Sequence, residues 1–375
     1  MEKHKRPATF LEGIDRIIFD MDGVITSEQN YWNAAALTVH EMQNGKEYFG
    51  NQDIETSLSS QQIKDIRTTV FVNDQLISLL KDRGVNTNWD LAYVVLCISG
   101  IVLMDNGQWT MDNKGPVEKQ DSSCEIYADH FNNVYQYLID NPITGYEIYD
   151  FIEHKLCELT GKEKRYFRRQ GELWNICQQV FQEWYLGDEV FNETYGQAPK
   201  ASGKPGLVFS EQPILPLDEL KDIIETLYSA GIILGVGTGR PFVEIDHPLI
   251  SWDIKKYFDE QSYVTYREVM DAEQKLEGIY AGTSLAKPHP YVFLKAIYGR
   301  NYSDMALVQG DYDKRMIKST LIIGDAGSDI MAAKAMNCKF AAVLTGVSGE
   351  KARNYFKEMG ADYILNNIRE LIVNS

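Results

Sequence analysis

The sequence predicts an α/β fold with a doubly wound parallel sheet, interrupted after its first strand by a large all-helical insertion. Short apolar runs rich in β-branched residues alternate with helical patterns at the start of the chain and again beyond about residue 208. Between them lie about 180 residues of helical pattern, which is close to a typical domain size. We therefore predict an α/β core of residues 1–27 and 208–375 and a helical domain of residues 28–207.

The composition narrows the classes of protein and of partner. The chain has 375 residues, of which 44% are hydrophobic, enough for a sizeable core. Its 37 basic and 54 acidic residues give a net charge of -17, which argues against nucleic acid or an anionic membrane as the partner. The cysteines show no paired spacing and the first residues do not resemble a signal peptide, so we expect reduced thiols and a cytoplasmic protein. The sequence makes no prediction of the oligomeric state.

The first predicted strand, residues 14–19, ends in two carboxylates, Asp20 and Asp22, followed by Gly23. Two acids this close either share a cation or keep one proton between them. Both arrangements suit phosphate chemistry, since an ionised Asp20 beside Mg²⁺ can attack phosphorus while a neutral Asp22 protonates the leaving oxygen. An Asp-Gly turn that only closes a strand is the structural alternative.

The segment after Ser27 shows helical spacing almost throughout. Asp90 is predicted as the N-cap of a very apolar helix that is too short to span a bilayer and is therefore expected to be buried. We interpret Tyr127, Phe131 and Tyr135 as core positions of a later helix. The predicted helices start near Tyr31 and continue at 63–80, 91–104, 126–138, 146–159 and 173–184.

Residues 197–206, QAPKASGKPG, have the composition of a linker, and we place the domain boundary near Val208. From there strands and helices alternate, as a doubly wound parallel sheet requires. The strand at 263–264 has the weakest pattern. The predicted elements are helix 218–229, strand 232–236, strand 263–264, a helix after Pro290, strand 320–323, helix 329–336, strand 340–344, helix 351–359 and strand 361–365.

Two loops of this second half carry residue types that bind phosphate. In VGTGR, the Thr238 hydroxyl and the free backbone N–H groups around Gly239 suit phosphate oxygens, although a plain βα turn also needs small residues. In AKPHP, two prolines stiffen the loop that carries Lys287, whose ammonium can bind phosphate or neutralise a nucleophile. A single lysine before a helix is usually only solvated. We expect His289 to cap or pack rather than to catalyse.

The segment GDAGSD delivers Asp325 to the sheet edge at which Asp20 is expected. Mg²⁺ prefers a few carboxylates together with water and phosphate oxygens, and Asp20, the backbone carbonyl of Asp22 and Asp325 would supply the protein ligands. Asp329 is open to three interpretations: an outer-shell group that supports a ligand, a ligand through water, or an acid favoured at a helix N-terminus.

The four segments DMDGV, VGTGR, AKPHP and GDAGSD, in this order, resemble the haloacid dehalogenase-like (HAD) superfamily. The resemblance implies a Rossmannoid core and a Mg²⁺-dependent phosphatase that acts on a small phosphorylated metabolite through a phospho-aspartyl intermediate. It implies Asp20 as nucleophile, Asp22 as acid/base, Thr238 and Lys287 as phosphate ligands and Asp325 as a metal ligand. The insertion point is similar to that of members with a helical cap after the first motif, such as phosphoglycolate phosphatase and β-phosphoglucomutase.

Two other functions remain open for the sequence. A phosphomutase has the same core but excludes water, and a non-catalytic member would keep the core as a scaffold and the cap as a binding surface. The cap is about twice the usual size for its subclass, and its position leads us to expect a lid. Its basic cluster is either an anion-gathering patch or, as we favour, a solvated surface; its members are Lys162, Lys164, Arg165, Arg168 and Arg169.

Overall fold

The computed structural model describes residues 5–85, 87–107, 124–279 and 284–374. Their contacts divide the chain into two compact units, an α/β unit that ends at Glu28 and resumes at Glu211, and a helical unit of Gln29–Ser210. The predicted folding of residues 1–27 with 208–375 as one domain and of 28–207 as another stays a prediction.

A six-stranded parallel sheet lies at the centre of the α/β unit, in the order β4-β3-β2-β5-β6-β7. A separate two-stranded antiparallel sheet joins β1 to β8, and the sequence did not predict it. The order runs outward from β2 in one direction and from β5 in the other, so the topological switch point lies between these two strands. The strands are β1 (Lys5–Pro7), β2 (Arg16–Phe19), β3 (Ile233–Gly237), β4 (Phe258–Val264), β5 (Thr320–Gly324), β6 (Lys339–Val343), β7 (Tyr363–Leu365) and β8 (Ile372–Asn374).

Helices fill the helical unit and cover both faces of the parallel sheet, which confirms the predicted fold class. The first eight helices below lie in the helical unit and the remainder in the α/β unit. They are α1 (Gln29–Asn44), α2 (Ser60–Val70), α3 (Gln75–Asp82), α4 (Asn88–Asp105), α5 (Cys124–Asp140), α6 (Glu147–Thr160), α7 (Lys164–Phe167), α8 (Glu172–Tyr195), α9 (Leu217–Ser229), α10 (Phe242–Ser251), α11 (Tyr266–Lys275), α12 (Tyr291–Tyr298), α13 (Asp304–Gln309), α14 (Arg315–Lys318), α15 (Gly327–Ala335) and α16 (Ala352–Glu358).

The first central strand shows why its sequence is an unbroken apolar run. Ile17 and Phe19 pack into the core on one face of the sheet, and Ile18 packs into the core on the other face. Successive strand residues point to opposite faces, so a strand covered by helices on both sides needs apolar residues at every position. This burial holds the carboxyl end of β2 in place.

Strand β4 is longer than the predicted strand at 263–264. Its middle residues, Asp259 to Gln261, are exposed, because β4 is an edge strand with one uncovered side. Its pairing with β3 is also irregular between Leu234 and Val236. Apolar alternation predicts only the second half of the strand, because the first half carries polar residues.

The apolar helix α4 is longer than predicted and forms the centre of the helical unit. It is long and apolar enough to cross a membrane by length and composition, but 72% of its 18 residues are buried inside the protein. The prediction of Asp90 as its N-cap is wrong. Thr87 caps the helix by accepting a hydrogen bond from the Asp90 N–H at 3.1 Å. Asp90 lies inside the first turn, where acids are favoured.

The buried Asp90 carboxylate instead binds two side chains of the helical unit. It accepts hydrogen bonds from Arg169 Nη2 at 2.8 Å and from Trp174 Nε1 at 2.8 Å. Arg169, one member of the predicted basic cluster, is therefore not a solvated surface residue. Lys164 and Arg165 of the same cluster are 73% and 70% exposed and pair with nearby glutamates, as the solvated interpretation expects.

The helix predicted across residues 63–80 is two helices, α2 and α3. The chain leaves the helical conformation at Val72, Asn73 and Asp74, whose φ angles are 50°, 54° and 65°. Asn and Asp tolerate this left-handed region better than most residues. Arg67 stabilises the turn by donating hydrogen bonds from Nε and Nη2 to the two oxygens of Asp74. Apolar spacing continues through the break, so periodicity alone could not reveal it.

For the aromatic positions, Phe131 is buried and Tyr135 is half-buried, while the side chain of Tyr127 lies outside the described residues. Val134 and Leu138, at helical spacing from Phe131, are also buried.

The segment 197–206 is not a simple tether. Lys204 is buried, and its ammonium lies 2.8 Å from a Glu41 oxygen and 2.6 Å from a Glu183 oxygen. Trp184 Nε1 donates a further hydrogen bond to Glu41 at 2.7 Å. The lysine thus joins α1 and α8 through a salt-bridge cluster that composition could not predict.

We expect Lys204→Met to destabilise the helical unit, because two buried carboxylates lose their counter-charge. Losing one partner of a buried ion pair costs about 3–5 kcal/mol. The measurement is thermal unfolding followed by circular dichroism, with Lys200→Met as the matched control because Lys200 is exposed in the same segment. Equal unfolding midpoints for the two variants would contradict the role assigned to Lys204.

Candidate active site

The parallel sheet brings the two acidic segments to one edge. Strands β2 and β5 are neighbours, Phe19 lies opposite Ile323, and the Asp20 N–H donates to the Ile323 carbonyl at 2.8 Å. Asp20 and Asp325 each follow one of these strands within two residues. Both therefore lie at the carboxyl ends of the strands beside the topological switch point, where open α/β sheets bind ligands.

Lys287 connects this edge to the start of α15. Its Nζ lies 2.7 Å from Asp20 Oδ1 and 2.8 Å from Asp329 Oδ1, and it sits 4.7 Å from the centre of the Phe293 ring. Burial disfavours the lysine charge, but the carboxylates of Asp20 and Asp329 outweigh burial and hold the pKa of Lys287 above its usual value. The ammonium stays charged in a nearly closed environment.

Three carboxylates converge at this edge of the sheet. One oxygen each of Asp20, Asp325 and Asp329 lies within 4.8 Å of the others. Burial raises the pKa of Asp20, and the charges of Asp329 and Asp22 add to that effect while Lys287 opposes it. Three acids against one ammonium leave an excess of negative charge, and these are the hard oxygen ligands that Mg²⁺ prefers. The donor set therefore fits a magnesium ion.

Glycines make the close approach of Asp325 possible. A Cβ atom at Gly23 or at Gly346 would overlap the Asp325 carboxylate, and Gly23 has a φ of 67° that glycine adopts without strain. Thr345 donates a hydrogen bond to the Gly23 carbonyl, which ties the loop after β6 to the loop after β2. The sequence pattern explains Gly23 as a turn residue, but the space it leaves for Asp325 depends on the fold.

Asp329 has two contacts that clarify its position. Its Oδ2 accepts a hydrogen bond from the Ala326 N–H at 3.2 Å, as an acid at a helix N-terminus does, and its Oδ1 pairs with Lys287. A Cβ atom at Gly324 would approach the Asp329 side chain to 2.6 Å, so this glycine leaves room for it. The direct ion pair with Lys287 was not among the three predicted interpretations.

Asp22 is not part of this acidic group among the residues that the structure describes. Arg240 Nε donates to Asp22 Oδ1 at 2.9 Å, and Arg240 Nη2 donates to the same oxygen. Arg240 is buried, and its Nη1 lies 3.6 Å from a Glu211 oxygen. Sequence reasoning missed both partners. A charged residue directly after Thr238-Gly239, in a turn of small residues, was the available signal for Arg240.

The predicted phosphate-binding turn follows β3, which pairs with β2. Thr238 is buried, its N–H donates to the Val264 carbonyl at 3.1 Å, and its Oγ1 accepts from the Arg240 N–H at 3.2 Å. Gly239 is exposed at the turn. His289 Nδ1 accepts a hydrogen bond from the Tyr291 N–H at 3.1 Å, so His289 caps the next helix.

Comparison with known proteins extends these observations. A model of the HAD-hydrolase-like family matches residues 284–371. A crystal structure solved by the Northeast Structural Genomics Consortium superposes with a TM-score of 0.77 and 29% identity, over 96% of this chain and 97% of that one. Comparison with functionally curated proteins gives no match.

Two further structures carry names of related activities. A protein assigned as a phosphoglycolate phosphatase, from Lactobacillus delbrueckii subsp. bulgaricus, matches at 15% identity and a TM-score of 0.40 over 96% of each chain. A protein assigned as a β-phosphoglucomutase, from Thermotoga maritima, matches at 15% identity and a TM-score of 0.38 over 96% of each chain.

The family match includes Lys287 and Asp325 themselves, which the α/β unit brings to one edge of a parallel sheet together with Asp20. Two of the four motifs that resemble the family, AKPHP and GDAGSD, lie within the matched residues. Residues 284–371 of this chain thus match the HAD-hydrolase-like family, which is similar to the resemblance that the four sequence motifs indicate.

Proposed function

We propose that this protein is a Mg²⁺-dependent phosphatase that hydrolyses a small phosphorylated metabolite through a phospho-aspartyl intermediate. The observation that carries the proposal is the position of the Lys287 ammonium between Asp20 and Asp329, two carboxylates that also approach Asp325. A buried carboxylate next to a fixed cation, at the ligand-binding edge of an α/β sheet, is suited to attack a phosphate dianion.

In the proposed reaction, Asp20 is the nucleophile and Asp22 the acid/base. An oxygen of Asp20 forms a bond to phosphorus as the ester bond breaks, and Asp22 gives its proton to the leaving oxygen. Asp22 then takes a proton from the water that attacks the phospho-aspartate. Lys287, the Thr238 hydroxyl and the N–H groups around Gly239 bind the phosphoryl oxygens.

The carboxylates of Asp20 and Asp325, with the backbone carbonyl of Asp22, would hold the magnesium ion, whereas Asp329, bound to Lys287 and to the Ala326 N–H, would lie outside the ligand set. When bound, the ion supplies positive charge that balances these acids and the phosphoryl oxygens. We place the protein in the cytoplasm, with no nucleic acid or membrane as partner. The acidic overall charge and the burial of α4 support this assignment.

We expect Asp20→Asn to lose at least about a thousandfold in kcat, because an amide cannot replace the attacking carboxylate. The assay measures phosphate release from p-nitrophenyl phosphate and from a panel of phosphorylated metabolites, with and without Mg²⁺. Asp15→Asn is the matched control, since Asp15 is an exposed acid just before the same strand. A comparable rate for Asp20→Asn and the wild type would refute the mechanism.

We expect Asp325→Asn to weaken Mg²⁺ binding more than tenfold, since even groups that only orient metal ligands contribute about 10–100-fold to affinity. Isothermal titration calorimetry with Mg²⁺ alone measures this without turnover, and a shift in unfolding temperature provides a second readout. Asp311→Asn, at an exposed acid, serves as control. Unchanged Mg²⁺ affinity in Asp325→Asn would remove the metal from the assigned site.

A further inference from the structure

We propose that Arg240 is a positioning residue that aims Asp22 for proton transfer, and that Glu211 orients Arg240. This inference rests on the proposed phosphatase function and extends it to Arg240 and Glu211, to which the sequence motifs assign no role. The observation that carries it is the pair of hydrogen bonds from Arg240 Nε and Nη2 to a single oxygen of Asp22.

Arg240 is held from both its backbone and its side chain. Its carbonyl accepts a hydrogen bond from the Tyr266 N–H at 3.0 Å, and its own N–H donates to Thr238 Oγ1 at 3.2 Å. Only 3% of the residue is exposed, and an oxygen of Glu211, itself 5% exposed, lies 3.6 Å from Arg240 Nη1. A buried guanidinium restrained in this way has little freedom to turn, and it fixes whatever it binds.

The hydrogen bonds to Asp22 are asymmetric. Within the part of the chain that the structure describes, they all end at Oδ1, from Arg240 and, at 3.5 Å, from Thr26 Oγ1. The Asp22 side chain is 26% exposed, far more than the arginine that holds it. The arrangement fixes Oδ1, and with it the orientation of the carboxyl group that we assign to proton transfer.

Arg240 also links two groups of the proposed reaction. Its N–H orients the Thr238 hydroxyl, which we assign to the phosphoryl group, while its side chain orients Asp22, which we assign to the leaving oxygen. Phosphoryl transfer depends mainly on positioning, and misplacing a reacting group by about 1 Å can cost about a hundredfold in rate. One buried residue therefore sets the relation between the phosphorus and the acid.

The proton-transfer step that Arg240 serves is balanced within the site. The bond between phosphorus and the ester oxygen breaks as the bond between phosphorus and Asp20 forms, and the proton on Asp22 moves to the departing oxygen. The guanidinium neither touches the substrate nor exchanges a proton. It acts through Asp22 alone, so its loss should be felt most where the leaving group most needs a proton.

The test compares two substrates that differ in this need. p-Nitrophenolate leaves without protonation, whereas the alkoxide of benzyl phosphate requires an acid. We expect Arg240→Gln to lower kcat/KM for benzyl phosphate at least about tenfold more than for p-nitrophenyl phosphate, since general acid catalysis contributes about 10²–10⁴-fold. Arg240→Lys keeps a cation but loses the paired donors of the guanidinium. We expect its change in the ratio of the two kcat/KM values to lie between those of the wild type and Arg240→Gln.

Arg300→Gln is the matched control, because Arg300 pairs with Glu268 at 2.6 Å in the same unit and has no place in the proposed reaction. If Arg240→Gln lowers kcat/KM equally for both substrates, the arginine has only a structural role and the proposal is wrong. If Arg240→Gln fails to fold, the substrate ratio of Arg240→Lys decides by the same criterion. A wild-type protein that hydrolyses neither substrate would instead refute the proposed function, and the inference with it.

Discussion

The candidate site depends on one ammonium buried among carboxylates. Lys287 contacts Asp20 and Asp329 at 2.7 and 2.8 Å, and without it those two acids would face each other, with Asp325 nearby, in a nearly closed environment. Removing one partner of a buried ion pair costs about 3–5 kcal/mol, a large part of the stability of a typical domain. Lys287 therefore stabilises the acidic site in addition to its proposed role in binding phosphate. Its single charge does not balance three acids, which favours a divalent cation beside it.

The backbone makes this concentration of charge possible. Strands β2 and β5 are adjacent and buried on both faces, so the positions of Asp20 and Asp325 follow from the register of the sheet. Glycines at 23 and 346 then leave the volume that the Asp325 carboxylate occupies. Apolar packing positions the acids, and the absence of side chains at two loop positions lets them approach each other.

The sequence predicts the α/β fold because its signals are local: apolar runs that end in acids or glycines and alternate with helical spacing. It could not predict contacts between distant segments, such as that of Asp22 with Arg240, which are 218 positions apart. The same limit applies to Lys204. Its neighbours in the sequence have the composition of a linker, so its buried ion pairs with Glu41 and Glu183 could not be predicted. The N-cap of α4 was predicted wrongly because Thr87 and Asp90 are both good N-cap residues. The length of β4 was underestimated because an exposed edge strand carries polar residues.

The central claim is that Asp20, Lys287 and Asp325 converge on one cation and one phosphoryl group. A crystal structure of the wild-type protein with Mg²⁺ and beryllium fluoride, a mimic of a phosphoryl group on aspartate, tests it most directly. The account predicts beryllium fluoride on an oxygen of Asp20, with Lys287 in contact with a fluorine and the magnesium ion between Asp20 and Asp325. Magnesium and beryllium fluoride bound elsewhere, with these three side chains left as they are, would contradict it.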